Sequence, residues 1–244
     1  YNSSASHIGS CFSIIDSLIT LYFYLKLKKK LSSTKVILSK GHAAAALYVV
    51  LNKFKFISNT ELKTFYKNGS KLMGHASHMV NGVTLSTGSL GHGLSVGCGI
   101  AYAYKKIKKK NEVFVFMSDG ECNEGSIWEA LLFASHNNLN NIKVLLDYNK
   151  LQSIYSIKKT LNLEPLKDKW RSFGWDVTEC LGHNYNDVLK FCNKKSNKPK
   201  VAILHTIKGK GVSFMENNNL WHYRCPNKIE FEKAEKELKK NIPN

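Results

Sequence analysis

The chain has 244 residues and a formal net charge of +18, but nearly all its basic residues are scattered lysines, and Arg171 and Arg224 are its two arginines. Base recognition and bidentate phosphate binding favour arginine, so this charge does not predict a nucleic-acid-binding protein. The six cysteines form no C-x-x-C pair, which excludes the common zinc and disulfide frameworks and predicts reduced thiols in a cytoplasmic protein. No linker-like or repeated segment interrupts the sequence, so we expect one α/β domain over residues 1–244.

The first predicted element is a buried helix over residues 12–27. This run is apolar but contains Asp16 and several hydroxyl residues, and it is shorter than the ~20 apolar residues that a membrane span needs. We therefore expect no membrane association. The lysine runs 26–30 and 105–110 lie at the ends of predicted helices, where cations complement the helix dipole.

Several histidines in the first half of the chain lie next to glycine. His42, His75 and His92 each follow a glycine directly, in turns that expose a side chain at the edge of a sheet. A single histidine is more often a surface or core residue, but grouped imidazoles suit hydrogen bonding to hydroxyl groups and proton transfer near neutral pH. The sequence therefore predicts a candidate site at these turns. Four other histidines are interpreted as surface or core residues: His78, His136, His183 and His205.

The segment Gly88–Leu90 precedes another predicted helix and has two compatible interpretations. It can be a plain helix start, with Ser86 or Thr87 as the N-cap and a buried stripe that begins at Leu90. The other members of that stripe are Leu94, Gly97 and Ala101. A helix start also offers free backbone amides to an anion or a polar ring.

The middle of the chain predicts a metal site. Two apolar runs, 113–117 and 142–146, flank a helical pattern over residues 127–138, and such a strand–helix–strand unit places both strand ends at one edge of a parallel sheet. Asp119 and Asn149 follow the two strands, and ligands of such sheets bind at this edge. One carboxylate and one amide oxygen suit a hard cation such as Mg²⁺, which completes its shell with phosphate oxygens and water. Asp119 alone would instead predict a helix N-cap.

The last third of the chain adds a strand over residues 201–207 and a charged helix from Lys228 to Lys240. Between them, Lys208–Gly211 is interpreted either as a mobile loop near a bound diphosphate or as a simple turn, and His222 follows Trp221. Taken together, the elements predict an α/β fold with a doubly wound, mostly parallel sheet flanked by helices.

The ordered set of motifs resembles that of transketolases, within the superfamily of thiamine diphosphate enzymes. That superfamily carries G-D-G followed about thirty residues later by N, and here Asp119, Gly120 and Asn149 match. Ser118 stands where the first glycine is usual, and Glu124–Ala130 matches the transketolase pattern E-G-x-x-W-E-A. Further agreeing patches are Ser6–Ser10, Ser39–His42, Ser86–Gly93, Lys208–Gly211 and Trp221–His222. The resemblance covers nearly the whole chain.

This resemblance implies the thiamine diphosphate-binding fold of a diphosphate-binding (PP) domain. It implies thiamine diphosphate as cofactor, together with Mg²⁺ or with Ca²⁺ or Mn²⁺ in its place. The implied metal ligands are Asp119, Asn149 and the backbone carbonyl of Leu151. The implied cofactor-binding residues are His42, Gly88, Ser89, Leu90, Asp119, Gly120, Glu121, Glu129, Asn149 and His222.

The implied catalytic residues are His7, His42, His75 and Glu124. By resemblance, the histidines contact the substrate hydroxyls and the diphosphate. Glu124 would lie at a subunit interface and orient the glutamate of a pyrimidine-binding domain, with Glu129 in support. An acidic pair at a helix start can otherwise complement the helix dipole. His75 lacks the proline that follows it in many transketolases, and the resemblance implies no role for His92.

The implied activity is the transfer of a two-carbon ketol unit from a ketose phosphate to an aldose phosphate. The chain would be the N-terminal subunit of a split transketolase, with a C-terminal subunit that carries the pyrimidine-binding domain, in a dimer of heterodimers. The chain starts at Tyr1 close to its first motif, so a clipped start is expected. Two alternatives stay open: another thiamine diphosphate-dependent ketol transferase acting on an unusual sugar, or a non-catalytic remnant that only binds a partner.

Overall fold

The computed structural model describes residues 1–240, which form a parallel sheet flanked by helices. The strands are β1 (Lys35–Leu38), β2 (Val113–Ser118), β3 (Ile142–Tyr148), β4 (Asp176–Leu181) and β5 (Lys200–His205). Their order in the sheet is β1-β2-β3-β5-β4, and each neighbouring pair is parallel. The predicted fold class is confirmed, while the last four residues of the predicted domain lie outside the described residues.

The helices connect these strands and cover both faces of the sheet. They are α1 (Ile8–Leu27), α2 (Ala44–Lys53), α3 (Asn59–Leu62), α4 (His92–Lys106), α5 (Gly125–His136), α6 (Ile157–Thr160), α7 (Leu166–Ser172), α8 (Tyr185–Asn193) and α9 (Lys228–Lys240). Short 3₁₀ turns occupy Gly41–Ala43, Asp119–Asn123 and Asn219–His222. The charged C-terminal helix has the predicted bounds. The helix α5 begins and ends two residues before its predicted range, and β5 ends two residues before its own.

Alternate residues of β2 face opposite sides of the sheet, as the two-residue period of a strand requires. Phe114 and Phe116 pack in a core that also contains residues of α1, α2 and α8. Val113, Val115 and Met117 pack in a second core with residues of α4, α5 and α7. Both faces are therefore buried, which explains why the central strands are continuous apolar runs rather than alternating ones.

The helix α1 is the predicted buried helix, and it begins at Ile8, a few residues before the predicted start. Among residues 1–240 it is the helix that is long and apolar enough to cross a membrane by length and composition, but 67% of its apolar window is buried inside the protein. It packs against α2 and α8 over one face of the sheet. Its apolar character is accounted for by this core position.

The expected cap of α4 is wrong. The residue before this helix is Gly91, whose φ of 84° lies in the left-handed region, so Ser86 and Thr87 are too far upstream to cap it. Leu90 consequently lies before the helix instead of at the start of its stripe. The rest of the predicted stripe is buried: Leu94, Gly97 and Ala101.

The interpretation of Asp119 as a helix N-cap is also wrong. Ser118 occupies the cap position of the 3₁₀ turn Asp119–Asn123, and its backbone N–H donates to Oε2 of Glu121 at 2.8 Å. The backbone of Ser118 is extended, with φ of −95°, so this position does not require the glycine that is usual in the motif. The carboxylate of Asp119 is thereby left for another role.

Candidate active site

A cleft opens at the carboxyl ends of the central strands. The parallel pairing of β2 and β3 sets Ser118 opposite Asp147, which brings the following Asp119 and Asn149 to the same edge of the sheet. Both side chains line a cleft of about 320 Å³. The start of α1, the turn after β1, the segment before α4 and the 3₁₀ turn after β5 complete its walls. The position matches the ligand site of open parallel sheets.

Most of the residues predicted from the sequence meet in this cleft. Its lining includes His7, His42, His75, Gly88, Leu90, Asp119, Gly120, Asn149, Leu151 and His222. The other predicted residues lie outside the cleft lining: Ser89, Glu121, Glu124 and Glu129. Segments from both ends of the chain thus converge on the edge that the strand–helix–strand unit predicted.

Asp119 is a buried carboxylate, 1% exposed, that faces the cleft. Its Oδ1 accepts a hydrogen bond from the backbone N–H of Gly120 at 2.7 Å, and its Oδ2 accepts one from the backbone N–H of Lys150 at 2.8 Å. Burial, and then the negative charge of Asp147, raise the pKa of Asp119 to about 7 in spite of these bonds. A cation bound in the cleft would supply the charge that keeps this carboxylate ionised.

Asn149 lines the same cleft as Asp119, and both the nitrogen and the oxygen of its side-chain amide form hydrogen bonds within the protein. Its Nδ2 donates to Oγ of Ser13 at 3.1 Å and to Oδ2 of Asp147 at 3.0 Å, and its Oδ1 accepts from the backbone N–H of Leu151 at 2.9 Å. One carboxylate, one amide oxygen and the carbonyl of Leu151 are a donor set that fits Mg²⁺ bound together with phosphate oxygens. Within residues 1–240 no cluster of three or more His, Cys, Asp or Glu side chains is arranged for a metal ion, so this mixed set is the candidate.

His7 precedes α1 with φ of 71°, a left-handed conformation that is uncommon for non-glycine residues. Its Nδ1 lies 2.5 Å from the carbonyl oxygen of His222, and Nδ1 carries the proton because a carbonyl only accepts. Burial lowers the pKa of His7, although this hydrogen bond opposes the effect, so the ring is neutral at pH 7. A neutral His7 therefore has an unprotonated Nε2, which can accept a proton.

His222 and Lys208 form a second polar group of the site. The ammonium of Lys208 donates to the carbonyl of Gln152 at 2.9 Å and lies 2.9 Å from Nδ1 of His222. Because an ammonium only donates, Nδ1 of His222 accepts and the neutral ring carries its proton on Nε2. Burial, and then the charge of Lys208, lower the pKa of His222 to about 3. Burial and the charge of Lys40 lower the pKa of Lys208 to about 8, so this lysine is mostly protonated at pH 7.

The segment Lys208–Gly211 forms a packed turn. The side chain of Lys208 is 1% exposed. Gly209 has φ of 79°, and a Cβ there would lie 2.3 Å from the carbonyl oxygen of Met215, so this position requires glycine. The turn holds the ammonium of Lys208 at the site.

His42 lies in the 3₁₀ turn after β1, with its ring centroid 5.3 Å from those of His7 and His222. Burial lowers the pKa of His42 well below its usual value, and the positive charge of Lys40 adds to this effect. His42 is therefore neutral at pH 7. Three neutral imidazoles share this wall of the cleft.

Replacing His42 with asparagine should make the cofactor-free chain less sensitive to acid. Since the imidazole is protonated below pH 6.5 in the unfolded chain but not in the folded chain, its stability contribution is present above pH 6.5 and lost as the pH falls. Between pH 6.5 and 5 the loss should be about 1.5 kcal/mol, which the variant avoids. Urea unfolding at both pH values measures it. The exposed His136→Asn variant is the control, and equal pH slopes for wild type and His42→Asn would contradict the expectation.

The segment before α4 closes the cleft from another side. Thr87 donates from Oγ1 to the carbonyl of Leu38 at 2.6 Å, and a Cβ at Gly41 would lie 2.5 Å from the carbonyl oxygen of Thr87. Glycine at position 41 therefore permits this close contact between the two loops. A Cβ at Gly88 would lie 3.3 Å from the ring of His75. The contacts place His75 and Gly88 next to the turn that carries His42.

The three glutamates of the predicted site have different environments. Glu121 is fully buried and accepts hydrogen bonds from Ser39, from Gly91 and from Ser118, so it ties three segments together behind the cleft. Glu124 directly precedes α5 and Glu129 lies in its second turn, and both are exposed.

The family of this chain follows from a protein-family model described as transketolase, thiamine diphosphate binding domain, which matches residues 3–238. The chain belongs to the transketolase family. Its thiamine diphosphate-binding domain spans nearly all of its length, and the cleft lies within the matched residues.

Several transketolase relatives are subunits of about the same length. The A subunit of apulose-4-phosphate transketolase from Phocaeicola vulgatus is 38% identical over 253 residues, which cover 99% of this chain and 89% of that protein. The SqwG subunit of 6-deoxy-6-sulfo-D-fructose transketolase from Clostridium sp. is 36% identical, with 88% and 82% covered. The crystal structure of transketolase from Campylobacter jejuni matches with a TM-score of 0.88 and 26% identity. The match covers 98% of this chain but 40% of that transketolase.

The cleft also contains residues for which the sequence predicted no role. They are Ser10, Lys40, Ser118, Gln152, Ser153 and Tyr223. Lys40 is 1% exposed and forms a salt bridge with Asp147, and Tyr223 packs its ring 4.7 Å from that of His222. A signal for Lys40 was present, because a lysine two residues after a buried strand lies at the same edge as Asp119. The other positions lack such a signal.

The histidines outside the predicted site have structural partners or are exposed. His183 lies 2.7 Å from Asp16 and accepts from the backbone N–H of Ile207 at 2.9 Å, so it joins α1 to the end of β5. His205 lies 3.2 Å from Glu179. The first residue of α4, His92, is exposed and lies outside the cleft lining.

Proposed function

We propose that this chain is the N-terminal subunit of a split transketolase, which transfers a two-carbon ketol unit from a ketose phosphate to an aldose phosphate with thiamine diphosphate and Mg²⁺. The observation that carries this proposal is a single cleft in which the buried carboxylate of Asp119 and the neutral His7, His42 and His222 lie together. The split organisation is supported by relatives named as subunits, of which the chain covers 82–89%.

The residues of the cleft fit an anionic cofactor and its cation. Asp119, Asn149 and the carbonyl of Leu151 would hold the cation, while Lys208 and His222 would donate to phosphate oxygens. When bound, thiamine diphosphate supplies the nucleophilic carbon for breaking and forming the C–C bond, and Mg²⁺ neutralises its diphosphate. The chain itself contributes binding and orientation.

Proton transfer and hydroxyl recognition would fall to the histidines. The unprotonated Nε2 of His7 accepts a proton from a substrate hydroxyl, whereas Nε2–H of His222 donates to an oxygen. The neutral ring of His42 lies beside both, 5.3 Å from each ring, and can bind a further hydroxyl group. Because burial keeps all three rings neutral at pH 7, they can exchange protons with a sugar without a prior charge change.

The substrates are proposed to be phosphosugars of a less common kind. Two similar relatives are named for apulose-4-phosphate and for 6-deoxy-6-sulfo-D-fructose. In this chain His75 is followed by Ala76 and Ser77 rather than by the proline found in many transketolases, so the wall beside the substrate differs.

A second subunit is proposed to complete the site. Glu124 and Glu129 are exposed beside the segment that closes the cleft, where a glutamate from a pyrimidine-binding domain would approach. We propose that a C-terminal transketolase subunit covers this face and that two such pairs form a dimer of heterodimers in the cytoplasm.

Ketol transfer should be at least about 100-fold faster in the pair than in the chain alone, because the partner brings the acid–base group. The assay uses xylulose 5-phosphate or apulose 4-phosphate as donor and ribose 5-phosphate as acceptor, with Mg²⁺ and thiamine diphosphate. The partner is the product of the adjacent reading frame. Asp119→Ala should abolish the activity, and Asp168→Ala, at an exposed carboxylate of α7, should retain it.

The remaining outcomes separate the alternatives. A pair that binds thiamine diphosphate but transfers no ketol unit from either donor would point to another sugar. A pair that binds no cofactor would support a non-catalytic remnant, and the proposal would then be wrong.

A further inference from the structure

Asp147 is a buried charged residue for which the proposed mechanism has no role. It lies near the end of β3 and is 0% exposed. Its Oδ1 accepts hydrogen bonds from the hydroxyl groups of Ser13, at 2.7 Å, and of Thr206. Its Oδ2 accepts from the ammonium of Lys40 and, at 3.0 Å, from Nδ2 of Asn149. Four donors from four different segments thus meet on one carboxylate directly behind the cleft wall.

These contacts allow the side-chain amide of Asn149 only one of its two flipped orientations. Its Nδ2 faces Oδ2 of Asp147 at 3.0 Å and Oγ of Ser13 at 3.1 Å. Ser13 uses its own proton on Asp147, so both groups can only accept a hydrogen bond from Asn149. A reversed amide would place its oxygen against two acceptors. The oxygen therefore faces the backbone N–H of Leu151 and the cleft.

The same carboxylate also holds a positive charge in place. Lys40 is 1% exposed, lines the cleft and forms a buried salt bridge with Asp147. Without that partner, a buried ammonium would have to move towards water. Asp147 therefore fixes two groups of the cleft. One is the amide oxygen of Asn149, which would face a bound cation, and the other is the ammonium of Lys40, which would lie near a bound anion.

We propose that Asp147, acting with Ser13, is a positioning residue that directs the amide oxygen of Asn149 towards the bound cation and keeps the ammonium of Lys40 in the cleft. The inference rests on the proposed function, because Mg²⁺ and a diphosphate are the ligands concerned. It predicts that cation affinity depends on side chains that never touch the cation. Partners behind a metal ligand commonly have this effect.

Ser13 and Thr206 offer a matched pair of variants. Each hydroxyl donates to Oδ1 of Asp147, but Ser13 also accepts from Asn149. With thiamine diphosphate present and Mn²⁺ as the probe ion, Ser13→Ala should weaken Mn²⁺ affinity about tenfold, as read from the electron paramagnetic resonance of free Mn²⁺. Thr206→Val should weaken it less than about threefold. The melting temperatures of both cofactor-free variants show whether the difference arises from general destabilisation.

Asp147→Asn is the more severe variant. Its amide can donate towards Asn149, which permits the reversed orientation, and it removes the charge that holds Lys40. We expect Mn²⁺ affinity to fall by about 10- to 100-fold. Equal affinities in Ser13→Ala and Thr206→Val, whether both normal or both reduced, would overturn the inference. A wild-type protein that binds no Mn²⁺ with thiamine diphosphate, alone or with its partner subunit, would overturn the proposed function as well.

Discussion

Replacing Asp119 with asparagine should weaken Mg²⁺-dependent binding of thiamine diphosphate by at least about 100-fold. The proposed cation-binding site, formed by Asp119, Asn149 and the carbonyl of Leu151, would then lose its one carboxylate. The neutral amide keeps the shape of the side chain and the neighbouring Asn149 in place. The substitution removes the charge that attracts the cation and one backbone hydrogen bond. Isothermal titration calorimetry with and without Mg²⁺ measures the effect directly.

The same variant should leave the metal-free chain at least as stable as the wild type at pH 8. The pKa of Asp119 in the folded chain is about 7 against an ordinary 3.8, so its ionised form costs the metal-free fold about 4 kcal/mol at pH 8. This cost begins to fall as the pH drops below 7, where the folded chain takes up the proton, and it is gone near pH 3.8, where the unfolded chain takes one up as well. An asparagine at this position forfeits one backbone hydrogen bond, which costs about 1–3 kcal/mol. At pH 8, the free energy gained by removing the buried charge is therefore larger than the free energy lost with the hydrogen bond.

If Asp119 binds the cation, the Asp119→Asn variant should bind thiamine diphosphate more weakly while its free energy of unfolding without metal is unchanged or raised. Urea unfolding of the metal-free proteins at pH 8 gives the free energy of unfolding for the comparison. The control is Asp168→Asn, at an exposed position of α7, which should change neither quantity. If Asp119→Asn instead bound the cofactor as tightly as the wild type, Asp119 would not be the metal ligand.

The parallel sheet could be predicted from the sequence because its rules are local. Buried strands are continuous apolar runs, and the two strands of a strand–helix–strand unit are parallel, so Asp119 and Asn149 had to reach the same edge. The same local patterns identified α1 and α9. By contrast, the caps of α4 and of the turn after β2 depend on the backbone conformation of Gly91 and Ser118, which propensity alone did not reveal.

The site itself could be predicted only in part. The resemblance of the chain to transketolases assigned His7, His42, His75 and His222 to one site, although they lie far apart in the sequence. Contacts such as that of Lys40 with Asp147 join residues 107 positions apart and depend on tertiary packing. No periodic pattern encodes such a pair, so the contact between Lys40 and Asp147 became visible only in the structure.

Replacing Glu121 with alanine should destabilise the chain by about 3 kcal/mol, because three buried donors lose the acceptor that they share. Its carboxylate accepts from Ser39, from the backbone N–H of Gly91 at 3.1 Å and from that of Ser118 at 2.8 Å. Each donor left unpaired in the interior costs about 1–3 kcal/mol. Burial raises the pKa of Glu121, so the loss is partly offset when the buried charge disappears.

The affinity of the folded variant for thiamine diphosphate should change less than about tenfold, since Glu121 lies outside the cleft lining. Urea unfolding and calorimetric titration of the same preparation separate the two quantities. Glu124→Ala, at the exposed glutamate three positions later, is the control, and it should alter the free energy of unfolding by less than about 0.5 kcal/mol. A Glu121→Ala chain with normal stability but no cofactor binding would show that Glu121 contacts the cofactor, as the sequence motif predicts. Reduced stability with nearly unchanged affinity, the expected result, would instead show that Glu121 is a structural residue. Its hydrogen bonds would then hold the turns after β1 and β2 against the segment before α4.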